Sequence, residues 1–378
     1  MNSLRTSLEQ SWMTKNKSFQ DYSQASSSIK NKNDVNHSNQ GGDDDGDGSN
    51  DKEERYIERK SIEPRLNNLK KKFQASVFIM IQKAINLSTR VIDKALIDEC
   101  GKIKINDAIN QFTIKWFEKI VSLHSEEDRK YHTLCHLEEM FGFVDLIIHN
   151  DDGFKSEKET MNWDTYDTII TLSIFFHDAI YNPKSNTNEE DSIILYQQFE
   201  NELFQLLSAK DTERQENENR SSRWIGSDRV CTYIQATKSH NLDGIVNDSS
   251  SSCIGKDDTS IKCIKIFLDA DMAVLGKYPT AYDHYASLIR KEYIHVPHEL
   301  YCEKRAEILQ SFVSNVTNTE KEGKVEKRFI FASDIMRETF EEKAIDNLQR
   351  EIGMLRQGII PGFETDDITS SKDLITKE

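Results

Sequence analysis

The sequence TLSIFFHDAIY, from Thr171 to Tyr181, carries the clearest structural signal in the chain. Its apolar residues predict a buried helix, because the run is too short to span a membrane. The run ends in an adjacent imidazole and carboxylate, His177 and Asp178. Burying a polar group without a partner costs roughly 2–7 kcal/mol, and an unpaired charge costs more. Two arrangements remove this cost: the pair caps the helix and forms a hydrogen bond, or both side chains coordinate a divalent cation.

On both sides of this stretch apolar residues recur at helical spacing, and no segment alternates convincingly with the period of two that indicates a half-buried strand. The sequence therefore predicts an all-α fold, a helical bundle spanning residues 63–360, and no sheet. The predicted helices cover about 65–85, 108–121, 132–144, 164–177, 188–199, 230–240, 264–275, 282–293, 300–312 and 340–355.

Polar segments flank and interrupt this bundle. Residues 1–62 are rich in Ser, Asn, Asp and Gly and cannot bury enough apolar surface to offset the entropy of ordering, so they are predicted to be a disordered tail. Residues 361–378 are predicted to be a polar C-terminal tail. Two polar inserts, at about 209–228 and 242–262, are predicted loops within the helical domain rather than domain boundaries.

Charge and cysteine content limit the classes of function and location. The 378 residues carry a formal charge of −16 without a basic run, which argues against a nucleic-acid partner but suits a small phosphorylated ligand at a bound metal. The six cysteines are scattered without a C-x-x-C pair, as in reduced intracellular proteins. No apolar run reaches transmembrane length, so no membrane partner is predicted. A cytoplasmic location is expected, with the nucleus as an alternative, and the sequence carries no indication of an oligomeric state.

Three further segments place metal-binding residue types in apolar surroundings. YHTLCHLEEM spaces His132 and His136 four residues apart, which on a helix would put both on one face. In FLDADMAVLG, Asp269 and Asp271 are two residues apart and cannot share a helix face, so at most one is an expected ligand. His240 ends the segment ATKSH. Taken alone, each of these residues also has an ordinary structural explanation as a cap, a core residue or a solvated side chain.

In chain order, five motifs resemble the HD superfamily of metal-dependent phosphohydrolases, and more narrowly a group of predicted HD phosphohydrolases. The motifs are YHTLCH (131–136), HDAIY (177–181), NEEDS (188–192), ATKSH (236–240) and FLDADMAVLG (267–276). The later sequence IRKEY (289–293) fits the same pattern. The resemblance covers about residues 131–293, and the tail and the two inserts depart from it without removing a motif residue.

The resemblance implies an HD-type helical domain that holds one metal ion. The implied ligands are His136, His177, Asp178 and either Asp269 or Asp271. Asp271 is favoured because the alanine before it matches the usual Ala-Asp pair of the superfamily. A mixture of nitrogen and oxygen ligands suits Mn²⁺, Fe²⁺, Co²⁺, Ni²⁺ or Zn²⁺.

The resemblance also implies catalytic roles beside the metal. Asp178 would contact both the metal and the attacking water. Glu189 would orient that water, unless its charge only favours the first turn of its helix. His132 would lie next to the metal or face the substrate.

Substrate contacts are implied for residues of three motifs. His240 would bind a leaving phosphate or support a second metal, and Tyr181 is a candidate substrate contact at the end of its motif. Arg290 would clamp a phosphate with its planar guanidinium, or else be a solvated surface arginine. Arg305 has the same two interpretations.

Together these expectations predict a phosphohydrolase that cleaves a small phosphate ester or nucleotide with a metal-activated water. Three alternatives stay open. The domain could bind metal without turnover and act as a scaffold or regulator, or it could hold two irons and act as an oxygenase, with His132 and His240 as extra ligands. It could also be a helical scaffold without metal.

Overall fold

The computed structural model describes residues 49–87, 107–151, 163–207, 224, 226–240, 258–315, 319–321, 324–326 and 329–363. Within these ranges the chain is all-α, as the sequence predicts, with ten α-helices, one 3-10 helix and a short hairpin. Most of the predicted tails and inserts, namely 1–48, 208–223, 241–257 and 364–378, lie outside the described residues.

The helices follow the predicted segments. They are α1 (Ser49–Leu87), α2 (Asp107–Leu123), α3 (Leu134–Asn150), α4 (Trp163–Phe176), α5 (Asn188–Leu207), α6 (Ser227–Thr237), α7 (Asp258–Met272), α8 (Pro279–Glu292), α9 (His298–Asn315) and α10 (Asp334–Leu355). The 3-10 helix Ala273–Gly276 follows α7 directly. α1 begins within the segment predicted as the N-terminal tail, so residues 49–62 are helical.

A short antiparallel hairpin lies between α9 and α10. Strand β1 (Thr319–Lys321) pairs with β2 (Lys324–Glu326), and Thr319 lies opposite Glu326. Three residues per strand are too few to show a period of two, which is why the sequence predicts no sheet there. The hairpin leaves the fold class unchanged.

α4 is the helix around which the bundle packs. It contacts α1, α3, α5, α6 and α7, and ten of its 14 residues are buried. Its buried hydroxyls are satisfied locally, because Thr168 and Ser173 donate to backbone carbonyls one turn earlier at 2.7 and 2.8 Å. These bonds let polar residues lie in an apolar core without the cost of an unpaired donor.

Aromatic side chains anchor the C-terminal end of α4. The ring of Phe175 meets Phe73 of α1 edge-on, with ring centroids 5.3 Å apart. Phe176 contacts Phe199 of α5 at 5.3 Å and Trp116 of α2 at 6.4 Å. Such ring pairs contribute about 0.5–1.5 kcal/mol each beyond their buried area. The two residues that follow, His177 and Asp178, therefore extend from a fixed helix end.

The segment after α7 is fixed by a close contact with α10. α10 packs against α9, α3 and the 3-10 helix. At Gly276 an added Cβ would lie 2.6 Å from the Cβ of Phe340, so this approach requires glycine. The contact holds the C-terminal end of α7 in place.

Two observations bear on the expected surroundings of the chain. In the part of the chain that the structure describes, no helix combines the length and apolar character needed to cross a membrane. The four cysteines in that part, Cys135, Cys231, Cys263 and Cys302, are free thiols.

Candidate metal centre

Three helices bring a group of metal-binding side chains together. α3 carries His136, the end of α4 leads into His177, and the last turn of α7 carries Asp271. His136 Nε2 lies 3.3 Å from His177 Nε2 and 3.2 Å from Asp271 Oδ1. The ligand atoms of these three residues all lie within 4.8 Å of one another.

Asp178 adds a second carboxylate to this group. Its Oδ2 lies 2.9 Å from His177 Nε2 and 4.0 Å from His136 Nε2. The side chain is 18% exposed, whereas both imidazoles are buried. The structure thus brings together the residues His136, His177, Asp178 and Asp271 that the resemblance implies as ligands.

The donor set fits a divalent transition metal. His177 Nδ1 lies 3.0 Å from the carbonyl of Ile174 and donates to it in the neutral tautomer, which leaves the Nε2 lone pair available to a metal ion. Two imidazole nitrogens and two carboxylate oxygens therefore converge on one region. Imidazole nitrogen and carboxylate oxygen are ligands that first-row metals accept together.

The carboxylates make this region attractive to positive charge. Burial alone would lower the pKa of His177, but Asp178 and then Asp271 raise it to about 9. Burial would raise the pKa of Asp178, yet His177 holds it below its usual value. A proton or a metal ion can supply the positive charge that this arrangement favours.

His240 supports the second oxygen of Asp271. Its Nε2 lies 2.9 Å from Asp271 Oδ2. The residue follows α6 and has a φ of 50°, which among the described non-glycine residues occurs here alone. A non-glycine residue in this region costs on the order of 1–3 kcal/mol and is common at functional sites. The strained backbone directs the imidazole to the ligand group.

His132 lies next to the group but not on a helix. Thr133 is the N-cap of α3, so His132 precedes the helix and does not share a face with His136. Its Nδ1 lies 2.7 Å from Glu292 Oε2, and its Nε2 lies 3.9 Å from Asp178 Oδ2. The ring stacks on Tyr181, with centroids 4.2 Å apart. His132 is therefore directed towards Asp178.

Glu292 is the residue that holds this arrangement, and the sequence analysis gave it no role. Its Oε1 accepts hydrogen bonds from the backbone N–H groups of residues 130, 131 and 132 at 2.8, 2.8 and 3.0 Å. Its Oε2 accepts from Tyr181 Oη at 2.9 Å as well as from His132. Burial opposes ionisation, but His132 and these N–H groups lower the pKa of Glu292 to about 2. Burial alone would also lower the pKa of His132, and Glu292 raises it instead.

Arg129 is a second residue that the sequence analysis missed. Its guanidinium donates to the carbonyls of Asp178 and Ala179 at 2.5 and 2.8 Å. It also reaches the carbonyl of His132 at 3.3 Å. The side chain is buried, with 1% exposed, and its hydrogen bonds fix the turn that presents Asp178. Arg129 stands two residues before the first motif, which is the available signal in the sequence.

Asp269 has a structural role and does not face the ligand group. Its two oxygens accept from the backbone N–H groups of Ala332 and Ser333, both at 2.7 Å, and Oδ2 also accepts from the Ser333 hydroxyl. Burial raises the pKa of this carboxyl to about 6. Of the two alternatives left by the sequence, Asp271 lies at the candidate centre and Asp269 holds the start of α10.

The two candidate phosphate clamps are buried in other interactions. Arg290 is 2% exposed and donates to the carbonyls of Tyr293 and Val296 at 2.7 and 3.0 Å. Arg305 Nε pairs with Glu351 Oε1 at 3.0 Å. The expected role of Arg290 as a phosphate clamp is not supported, because its guanidinium holds the chain that leaves α8.

Glu189 lies in the first turn of α5, as predicted. Its Oε2 is 3.8 Å from Lys238 Nζ. Lys238 also donates to the carbonyl of Asn186 at 2.7 Å and so ties α6 to the segment before α5. This geometry links Glu189 to the helix junction, and its expected role in orienting water stays a prediction.

Comparisons with known proteins give no match to any family model, curated protein or solved structure. The resemblance to the HD superfamily therefore rests on the five motifs. Functional conclusions rest on the geometry of the candidate centre and on the chemistry of its side chains.

Proposed function

We propose that the chain is a metal-dependent phosphohydrolase of the HD type that cleaves a small phosphate ester or a nucleotide. The observation that supports it most directly is the convergence of His136 Nε2, His177 Nε2 and Asp271 Oδ1. Asp178 Oδ2 lies beside them, 2.9 Å from His177 Nε2. Buried imidazoles facing carboxylates at these distances favour a bound cation, since the cation neutralises charge that burial makes costly.

The side chains around the centre would position the reactants. A bound divalent cation would polarise a phosphoryl oxygen and lower the pKa of a water molecule. Asp178, held through its carbonyl by Arg129, is partly exposed and can accept a hydrogen bond from that water. His132 keeps a proton on Nδ1 through Glu292, so its Nε2 is available to a substrate oxygen on the side of Asp178.

We also propose a small phosphorylated partner and a cytoplasmic location. The free cysteines of the described residues suit a reducing compartment. The formal charge of −16 disfavours extended contact with a nucleic-acid backbone.

A second candidate is a two-metal site with oxygenase chemistry. It is favoured by one observation: each carboxylate of the centre faces an additional imidazole. His240 Nε2 lies 2.9 Å from Asp271 Oδ2, and His132 Nε2 lies 3.9 Å from Asp178 Oδ2. These additional donors could hold a second ion. Two irons per chain would support this candidate over the hydrolase.

The metal content of the purified chain tests the proposal. We expect one transition metal ion per chain in the wild type and loss of that ion in Asp178→Ala and Asp271→Asn, measured by mass spectrometry. Asp334→Asn is the matched control, because the side chain of Asp334 is 93% exposed and pairs with Arg337. Unchanged metal content in both site variants would contradict the assignment.

Phosphate release from a panel of phosphate esters and nucleotides tests the reaction. We expect release by the wild type reconstituted with Mn²⁺, Co²⁺ or Ni²⁺ and no release by Asp178→Ala. Stoichiometric metal without release of phosphate from any panel member would favour the scaffold or regulator alternative.

A further inference from the structure

A cleft of 430 Å³ has Glu292 among its lining residues. The other lining residues come from three segments, within 128–130, 182–184 and 291–295, together with Phe363. The first segment leads into His132, the second follows Tyr181, and the third contains Glu292 itself. The cleft and the candidate metal centre are thus built on the same hydrogen-bonded hub.

The cleft is rich in cationic side chains in a protein that is otherwise acidic. Lys130, Lys184 and Lys291 line it, although the chain carries a formal charge of −16. Lys130 Nζ donates to the backbone carbonyl of Glu127 at 2.7 Å. A carbonyl oxygen does not neutralise the charge of the lysine. Asp128 and Glu292 also line the cleft, but Glu292 is engaged by His132 and three backbone N–H groups. The local charge therefore favours an anion.

Apolar side chains share the lining with the lysines. Ile294 is 41% exposed, and Pro183 and Phe363 also line the cleft. A lining that combines apolar and cationic groups suits a ligand with both an anionic and an apolar part. Inorganic anions would use only the lysines, so the apolar residues indicate an organic anion.

The wall that carries Lys184 is held in a defined conformation. The backbone N–H of Asn182 donates to Asn188 Oδ1, and Asn188 Nδ2 donates back to the carbonyl of Asn182, both at 3.0 Å. The backbone N–H of Lys184 donates to Asn182 Oδ1 at 2.9 Å. A preformed wall reduces the entropy lost on binding.

We propose that this cleft binds an organic phosphate, with its phosphate groups on the three lysines and its apolar part against Ile294 and Phe363. Naming this ligand as the substrate rests on the proposed function, since the cleft adjoins the centre through Glu292 and His132. The binding itself requires neither a metal ion nor turnover.

Calorimetric titration of the full chain, freed of metal by a chelator, tests the cleft directly. The probes are ADP, which has an anionic and an aromatic part, and inorganic pyrophosphate, which has only the anionic part. We expect ADP to bind more tightly than pyrophosphate. Lys184→Glu should raise the Kd of ADP about tenfold, and Lys291→Gln should raise it as well.

Lys304→Glu is the matched control, because Lys304 is exposed on α9 and pairs with Glu307 at 2.9 Å. Its Kd for ADP should equal that of the wild type, and circular dichroism should show the same helical content for every variant. An unchanged Kd in Lys184→Glu and Lys291→Gln, or no binding of ADP by the wild type, would overturn the proposal.

The two proposals fail separately. If the chain binds ADP through these lysines but releases no phosphate from any ester, the cleft proposal stands and the hydrolase proposal fails. If the chain releases phosphate and its lysine variants keep the wild-type Kd and KM, the hydrolase proposal stands and the cleft proposal fails.

Discussion

In two buried polar clusters of this chain, the negative charge of the carboxylates is neutralised in different ways. Between α8, α9 and α10, Arg305 Nε lies 3.0 Å from Glu351 Oε1, and the hydroxyl of Tyr282 donates to the other carboxylate oxygen. In that ion-pair cluster a permanent cation neutralises a buried anion within the chain. In the candidate metal centre, Asp178 and Asp271 pair with imidazoles, and an imidazole is charged only when it is protonated.

The difference explains why burial of polar groups alone does not identify a functional site. Both clusters are buried, but only the candidate centre has two imidazole nitrogens 3.3 Å apart that face carboxylates. Such a donor set gains from an added cation, whereas the ion-pair cluster is already neutral.

The largest expected effect is the loss of Glu351. Glu351→Ala leaves the Arg305 guanidinium buried without its carboxylate, and breaking a buried pair in this way costs about 3–5 kcal/mol. Chemical unfolding followed by circular dichroism measures the change in the free energy of unfolding. A loss below about 1 kcal/mol, the range of exposed pairs, would show that the cluster is not a balanced buried unit.

A double variant separates the charge from the packing. Arg305→Met with Glu351→Leu removes both charges and keeps apolar volume, so it should recover most of the stability lost in Glu351→Ala. No recovery would mean that the packing of Tyr282 and its neighbours, rather than the unpaired charge, sets the cost.

The second prediction concerns metal removal. If the candidate centre binds a metal ion in the folded chain only, a free concentration 100 times its Kd should stabilise the chain by about 2.7 kcal/mol, and a chelator should remove this gain. Asp271→Asn should show neither the gain nor the loss. Thermal unfolding with and without Mn²⁺ measures both, and equal metal-dependent stabilisation of wild type and Asp271→Asn would contradict the centre.

The sequence was informative where function depends on local spacing. The motifs name His136, His177, Asp178 and either Asp269 or Asp271, and the structure brings the first three together with Asp271. The helical class follows from apolar periodicity, which each helix carries in its own residues. The hairpin at 319–326 has too few residues to show a pattern of its own.

The sequence was uninformative where a contact joins distant segments. Glu292 meets His132 across 160 positions, and the sequence IRKEY, which contains Glu292, does not indicate which distant segment its carboxylate contacts. The choice between Asp269 and Asp271 depended on where Ala332 and Ser333 lie, 63 and 64 positions later. Arg290 was predicted as a clamp because its residue type suits phosphate, but its burial is set by tertiary packing.

The third prediction uses His124, a buried imidazole for which burial outweighs the charge of the nearby Asp178. Burial and then Arg129 lower the pKa of His124 to about 3. The folded chain therefore holds it neutral, while the unfolded chain protonates it near pH 6.5. Since the unfolded state binds more protons below that value, stability should fall by about 1.5 kcal/mol from this residue between pH 6.5 and 5.

Comparison with a variant isolates this contribution. In metal-free protein, the free energy of unfolding should decrease between pH 6.5 and 5 in both the wild type and His124→Gln. The decrease should be smaller in His124→Gln, by about 1.5 kcal/mol. His149→Asn is the control for the loss of a histidine, because His149 is an exposed residue of α3. Equal pH dependence in wild type and His124→Gln would show that His124 does not titrate between the folded and unfolded states.

The smallest expected effect tests the strained backbone beside the centre. His240→Ala and His240→Gly both remove the imidazole that contacts Asp271 Oδ2. Both should therefore weaken metal affinity about tenfold or more. They differ only at the backbone, where a φ of 50° disfavours alanine and suits glycine. The metal-free glycine variant should therefore be more stable than the alanine variant by about 1 kcal/mol, measured by urea unfolding. Equal stability would mean that the left-handed conformation relaxes once the imidazole is gone, and then the contact with Asp271, rather than the end of α6, imposes it.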